Sequence, residues 1–325
     1  LEAALLSCDR EVDVHMAANG MDLECVACHT AENHQILGRL YSVSTENTNR
    51  ATCEQCHTSK PHLDNILNRH NSKVACQTCH IPEYAKVNAT KMAWYWSDAG
   101  KLKDGEPYVE TDSAGNITYM SKKGSFEWEK NVIPDYRWFN GTADLYLLGD
   151  TISSRPAHIN TLFGSYENED SKIIPVKINV GDQIYDEVYN QFIQPKLFSD
   201  EKGDSAYWMD FDWAAAAEAG MRTIGVPYSG EYGFIETVMH WPVNHMVAPK
   251  EQSVGCAECH TRENGRLAEL KDFYLPGRDR NVILSAVGSW LFILSLLGVI
   301  AHGTLRIISN IRKDRYEKDV INKDK

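Results

Sequence analysis

The sequence has no excess of positive charge with which to grip nucleic acid. Its 33 lysines and arginines are outnumbered by 45 aspartates and glutamates, giving a formal net charge of −12. Such a surface repels a phosphate backbone, so nucleic acid is excluded as a partner. The composition of a disordered chain is also absent: 43% hydrophobic and 24% charged is an ordinary globular balance with room for one or two domains. There is no initiator Met and no succession of charged, apolar and small-residue regions of the kind a signal peptide needs. Unpaired cysteine is scarce, because eight of the nine fall into four identical pairs and only Cys8 is left over.

Formal charge is missing from the 25 positions between Arg280 and Arg306, which include the apolar run from Trp290 to Ile300. At about 1.5 Å of rise per residue this helix can cross a hydrocarbon layer of roughly 30 Å with some tilt. A buried core helix is the competing reading; the length of the uncharged stretch and its place near the chain end favour a membrane span. After the span come Arg306, Arg312, Lys313, Arg315 and Lys318, whereas Glu269 and Asp279 are mixed among the basic residues on the other flank. That bias predicts a single-pass protein of the cytoplasmic membrane, with a cytoplasmic C-terminus and a body on the periplasmic, extracytoplasmic side. The tail from Arg306 carries seven basic and four acidic residues, +3 of the chain's −12, which leaves −15 on the rest. An exported body requires a leader, so the chain is read as the C-terminal part of a longer one that extends upstream of Leu1. Leu6-Ser7-Cys8 has the look of a lipoprotein cleavage site, but no basic region precedes it, and a free or buried thiol is the favoured reading of Cys8.

The four cysteine pairs are Cys25/Cys28, Cys53/Cys56, Cys76/Cys79 and Cys256/Cys259, and each is followed at once by a histidine. A c-type haem needs two thiols three positions apart to add to its vinyl groups, and an imidazole beside the second thiol to reach the iron. CxxCH meets those demands in five residues. Zinc sites also use CxxC, but they give no reason for a histidine after every second cysteine, and a redox dithiol would be a single pair beside a βαβ pattern. The cofactor read from the motifs is therefore haem c, four per chain, with His29, His57, His80 and His260 as proximal ligands.

The opposite axial position decides function, since a second strong ligand makes an electron carrier and an open position makes a catalyst. His34 and His62 each lie five residues after a proximal histidine, in a short repeat reading CxxCHTxxxH, and are placed to cap neighbouring haems rather than their own. His15, His70 and His245 precede motifs by six to eleven residues and complete the distal candidates; for each of the five, a plain hydrogen-bonded histidine is the alternative. His158 and His240 follow neither pattern and are read as non-ligands. Lys91 tempts a ligand assignment, although most lysines are solvated. His302, inside the span, could serve a b-type haem or a quinone with a partner subunit, or simply snorkel to the interface.

Motif spacing divides the chain into a three-haem region at 1–95, a haem-free insert at 96–245, a fourth-haem region at 246–280, the membrane helix at 281–305 and a basic tail at 306–325. Helix and strand signals are weak before residue 95, where the porphyrins themselves are expected to form the core. In the insert, Tyr108–Thr111 and Ile117–Met120 flank Gly115-Asn116, and Tyr136–Phe139 pairs plausibly with Thr142–Leu147 across Asn140-Gly141. Asp212 looks like the N-cap of a helix over Trp213–Ala219 closed by Gly220, and Pro276-Gly277 marks the turn into the membrane helix.

The sequence around the motifs resembles the octahaem tetrathionate reductase family of c-type cytochromes. The resemblance is carried by DVHMAANGMDLECVACH, RHNSKVACQTCHIPEYAK, TKMAWYWSDAGK, FEWEKNVIPDYRWFNG with YLLGD, FDWAAAAEAGM, VPYSGEYGFIETVMHWPVNHMVAPK, CAECHTRENGRL and FYLPGRD, in order through nearly the whole chain. It implies a mainly α, loop-rich, hydroxylamine-oxidoreductase-like haem fold, with a β-hairpin insert and the C-terminal membrane helix. It also implies periplasmic reduction of a small inorganic substrate, tetrathionate, nitrite or hydroxylamine, at a lysine-ligated haem. Only four of the family's eight motifs are present, so that haem would lie upstream of Leu1, and His15, His34, His62, His70 and His245 match positions expected to supply distal imidazoles. A membrane quinol-oxidising or b-type cytochrome subunit would be the partner. The competing function is a non-catalytic subunit that carries electrons from quinol to a separate enzyme. A pyridine haemochrome assay on the denatured protein is expected to find four covalent haems per chain; finding none would restore the zinc reading.

Overall fold

The computed structural model describes residues 3–38 and 41–323; Leu1 and the end of the basic tail at 324–325 lie outside the described residues. The chain forms two units. One comprises Leu1–Glu258 with Glu269–Phe273, and the other Cys259–Ala268 with Tyr274–Lys325.

The fold is mixed rather than mainly α, with 27% of residues helical and 23% in strands. The helices α1 (Cys25–Cys28), α2 (Asn65–His70), α3 (Cys76–His80), α4 (Tyr207–Asp210) and α6 (Cys256–Cys259) are each about one turn. One turn is all that a CxxCH motif needs, because residues i and i+3 already share a helix face. Apart from α5 (Trp213–Ile224), the remaining helix is α7 (Val282–Lys323). The expected hairpins of the insert are parts of something larger, a nine-stranded sheet.

Its strands are β1 (Thr90–Tyr95), β2 (Val109–Thr111), β3 (Ile117–Met120), β4 (Gly124–Glu129), β5 (Asp135–Phe139), β6 (Ala157–His158), β7 (Lys172–Asp186), β8 (Gln191–Phe192) and β9 (Tyr232–Pro242). The order is β6-β9-β7-β1-β4-β3-β2, with β5 and β8 also paired to β7. β7 and β9 run antiparallel from Val176 opposite Pro242 to Asp186 opposite Tyr232. β5 occupies the start of β7's other edge, with Ile173 opposite Trp138, and β1 continues that edge in parallel, with Val180 opposite Ala93. This long strand is hard to read in sequence because Pro175 and Gly181 interrupt it, and both residues ordinarily argue against a central strand. Pro175 sits where its carbonyl, not an N–H, is needed: it accepts from Val243 N.

The expected β2–β3 hairpin forms, tightened by Asp112, whose carboxylate accepts from the backbone N–H groups of Ala114 and Asn116. The hairpin across Asn140-Gly141 does not. Tyr136–Phe139 belongs to β5 and pairs with β7, while Ala143–Leu145 pairs with Asn160–Leu162. The apolar face of β5 is better buried against β7, where Phe139, Ile174 and Val176 pack with Ala75. α5 begins at the expected cap, Asp212 accepting from Ala215 N at 3.1 Å, but it runs through Gly220 to a left-handed Gly225. Gly220 serves packing instead, since a Cβ there would collide with the Gln194 carbonyl. Ala217 and Met221 of α5 then cover Ile184 and Ile193.

In the second unit, α7 is capped by Asn281, which accepts from Ile283 N and Leu284 N. The helix continues through the expected boundary at 305/306 without a break. At 42 residues it is about 63 Å long, roughly twice a hydrocarbon layer. Its leucines, Trp290 and Phe292 are exposed, and it is long and apolar enough to cross a membrane.

At the end of β7 the buried Asp186 accepts from Val188 N, Tyr189 N, Ser229 N and Ser229 Oγ, tying the strand to the approach to β9. Burial alone would raise this carboxyl, but the bonds from Ser229, Tyr189 and Val188 hold it below the ordinary range. A depressed carboxylate stabilises the fold above its unfolded pKa and ceases to do so as pH falls through the folded value. Asp186→Ala is therefore expected to cost about 2–4 kcal/mol at pH 7. Denaturant unfolding should show a lower midpoint, with the difference from wild type shrinking below about pH 4.

Candidate haem centres

The thiols and histidines of the motifs are fixed by short local contacts. Thr52 and Gln55 cap each other around Cys53–Gln55. α3 is pinned to the start of β7, where Ile173 O accepts from Ala75 N at 3.0 Å and from Thr78 Oγ1 at 2.7 Å. The ring of His29 donates from Nδ1 to Leu37 O at 2.7 Å, and that of His260, in the second unit, to Pro276 O at 2.8 Å. A carbonyl only accepts, so each Nδ1 carries the proton and each Nε2 presents a lone pair. Gly38, at φ +86°, lets the backbone pass against the His29 ring; a Cβ there would strike it.

Three of the motif histidines lie close to a second histidine from elsewhere in the chain. Ring centres are 6.0 Å apart for His57 and His15, 6.2 Å for His29 and His245, and 6.1 Å for His80 and His62. Two metal–nitrogen bonds of about 2.0 Å, plus about 1.1 Å from each nitrogen to its ring centre, require about 6 Å. Three of the five distal candidates are thus brought opposite a motif histidine. His34 instead sits exposed at the turn between Ala31–Glu32 and Gln35–Ile36, and His70 ends α2 with Nδ1 bonded to Ile66 O. Burial lowers the pKa of His80 and of His245, in each case helped by the histidine opposite, which favours the neutral form that can ligate.

The residue that sequence reasoning missed is Asp13. Its buried carboxylate accepts from His15 N (2.9 Å) and Met16 N (3.2 Å) on one oxygen and from Met246 N (2.9 Å) and Val247 N (3.2 Å) on the other. One side chain therefore clamps the loops of His15 and His245 together. Lys86 closes the same junction with opposite chemistry, donating to Glu11 O, Val12 O and Met246 O. Beneath them Leu5, Tyr84, Ala85 and Met246 form a small core with Val12 and Met16. The only sequence signal was an acid two residues before a candidate ligand.

The motifs also touch one another. Cys53 and Cys76, the leading cysteines of the second and third motifs, lie side by side, and their interaction raises the first thiol and lowers the second. Cys28 is raised by burial and by the neighbouring Cys56 of the second motif. Lys91 sits among aromatic rings: its ammonium lies 4.1 Å from the ring centres of Trp94 and Phe126 and 5.5 Å from that of Trp128. Cys8 is half-buried, its thiol raised by burial and by Asp13.

Paired thiols, a histidine with its lone pair free and a second imidazole at the two-bond distance fit a haem of the c type. Val26, Ile36, Leu63 and Ile66 offer exposed apolar surface beside the motifs to suit a porphyrin face. The class defined by this arrangement is a multihaem c-type cytochrome. Residues 91–263 match the family described as "Cytochrome c bacterial", and the chain belongs to that family. It is also similar to the crystal structure of octaheme cytochrome c from Shewanella oneidensis, with 43% identity and a TM-score of 0.73. The match covers 80% of this chain and 60% of that one. No curated protein sequence matches.

Asp13→Ala is expected to disturb two haems together while leaving their attachment intact. Electron paramagnetic resonance of the ferric protein should show high-spin signal growing by two haem equivalents. Asp186→Ala, at an equally buried carboxylate far from the histidine loops in sequence, should leave the spin state unchanged.

Proposed function

We propose that this chain carries electrons in anaerobic respiration as the C-terminal part of a membrane-anchored reductase of tetrathionate, nitrite or hydroxylamine. Haem c supplies reversible one-electron Fe(III)/Fe(II) chemistry when bound. Cys25, Cys28, Cys53, Cys56, Cys76, Cys79, Cys256 and Cys259 would hold four such groups, with His29, His57, His80 and His260 as proximal ligands. His245, His15 and His62 would close the distal positions opposite His29, His57 and His80. The observation that carries this reading is the approximately 6 Å spacing of the three pairs, since an iron held by two imidazoles has no position left for substrate.

The nearness of Cys28 to Cys56, and of Cys53 to Cys76, supports a continuous run from the first centre through the second to the third. In this account residues 1–95 and 246–280 hold haems, 96–245 is the scaffold between them, and α7 crosses the cytoplasmic membrane with the body outside and residues 306–325 inside. Catalysis would belong to residues upstream. The closed pairs also suit the second reading, an electron-transfer subunit that passes quinol electrons to a separate enzyme.

The test uses the full-length protein in vesicles loaded with a reduced quinol. Quinol is expected to reduce the haems, and tetrathionate, nitrite or hydroxylamine to reoxidise at least one of them at the rate of turnover. Reduction without reoxidation by any of the three would favour the electron-transfer subunit. Failure of quinol to reduce the haems would contradict the membrane link.

A further inference from the structure

A fourth pair of imidazoles has the ring-centre spacing of the other three, although neither member belongs to a CxxCH motif. The rings of His158 and His240 lie 5.8 Å apart with an angle of 4° between their planes, beside 6.1 Å and 9° for His62 and His80. They come together because β6 runs parallel to β9 with His158 opposite Val238, which puts His240 two residues along the neighbouring strand on the same face. Alternation of side chains would bring them near each other in any case.

Two further observations set this pair apart from ordinary neighbours. His240 is 8% exposed, and its Nδ1 is buried without a hydrogen-bond partner. A buried ring nitrogen left unsatisfied is costly, so such atoms usually have an occupant to meet. The backbone of His240 is also held firmly. Asn160, itself fully buried, accepts from His240 N at 2.8 Å and donates to His240 O at 2.8 Å, and its amide also reaches Ser42 O at 2.7 Å. Side chains fixed in this way are what a site needs if its ligands are to meet a metal without reorganising.

We infer that His158 and His240 form a bis-imidazole metal site, distinct from the CxxCH centres, for a metal that prefers nitrogen ligands. Imidazole suits Zn, Cu, Ni and Fe. The metal is a free divalent ion, since the two rings stand on one face of adjacent strands and leave no room for a porphyrin between them. Because no CxxCH residue takes part, the inference stands independently of the proposed respiratory role. His158 is exposed and gives access to the pair, whereas His240 anchors it from within.

The test compares the haem-loaded, full-length protein with His158→Ala, a surface change that should fold normally, and with His34→Ala as an exposed-histidine control. After chelation, titration with Cu²⁺ should fill one more site in wild type and His34→Ala than in His158→Ala, or fill it with about tenfold or higher affinity. Equal Cu²⁺ binding by all three proteins would overturn the inference.

Discussion

The structure depends on bringing imidazoles from distant parts of the chain to a ring-centre separation of about 6 Å, the distance at which both can bind one metal. One of the two costs little, because CxxCH places it by a single turn of helix. The other must be carried in from elsewhere, and most of the first unit can be understood as the means of doing so. His245 follows β9 out of the sheet, His15 rides on a loop tied to the same place, and His62 lies between two motifs. Asp13 and Lys86 lock that junction from opposite sides, one accepting N–H groups and the other donating to carbonyls.

The nine-stranded sheet makes this possible. Around the motifs there is little apolar core, and α3 gains its rigidity by docking on the start of β7 through Ala75 and Thr78. β7 in turn is held along both edges, by β9 on one side and by β5 and β1 on the other. A porphyrin-binding region that cannot supply its own scaffold thus borrows one from the insert. The mainly helical expectation failed at this point, because the helices at the haem motifs are as short as the chemistry permits.

What could be read from the sequence was the chemistry that is local. The cysteine pairs and the histidines beside them are visible as five-residue motifs, and His15, His62 and His245, which lie about 6 Å from motif histidines, were among the candidates because histidines near such motifs are few. Which of them faces which motif could not be read, since His245 meets His29 only after β7 and β9 have formed. β7 itself was concealed by Pro175 and Gly181, and Asn140-Gly141 looked like a hairpin turn although β5 finds a better apolar partner in β7. His158 and His240 carried no local signal at all; their proximity is a product of strand register. α7 was legible as a long apolar helix from its lack of charge, but its continuation to Lys323 was not.

The central claim is that the paired histidines close both faces of their irons. Near-infrared magnetic circular dichroism of the ferric protein tests it most directly, because the charge-transfer band of low-spin haem reports the identity of both axial ligands. The account predicts that at least three haems per chain contribute a bis-imidazole band. A spectrum dominated by high-spin haem, or by histidine–methionine or histidine–lysine ligation, would contradict it.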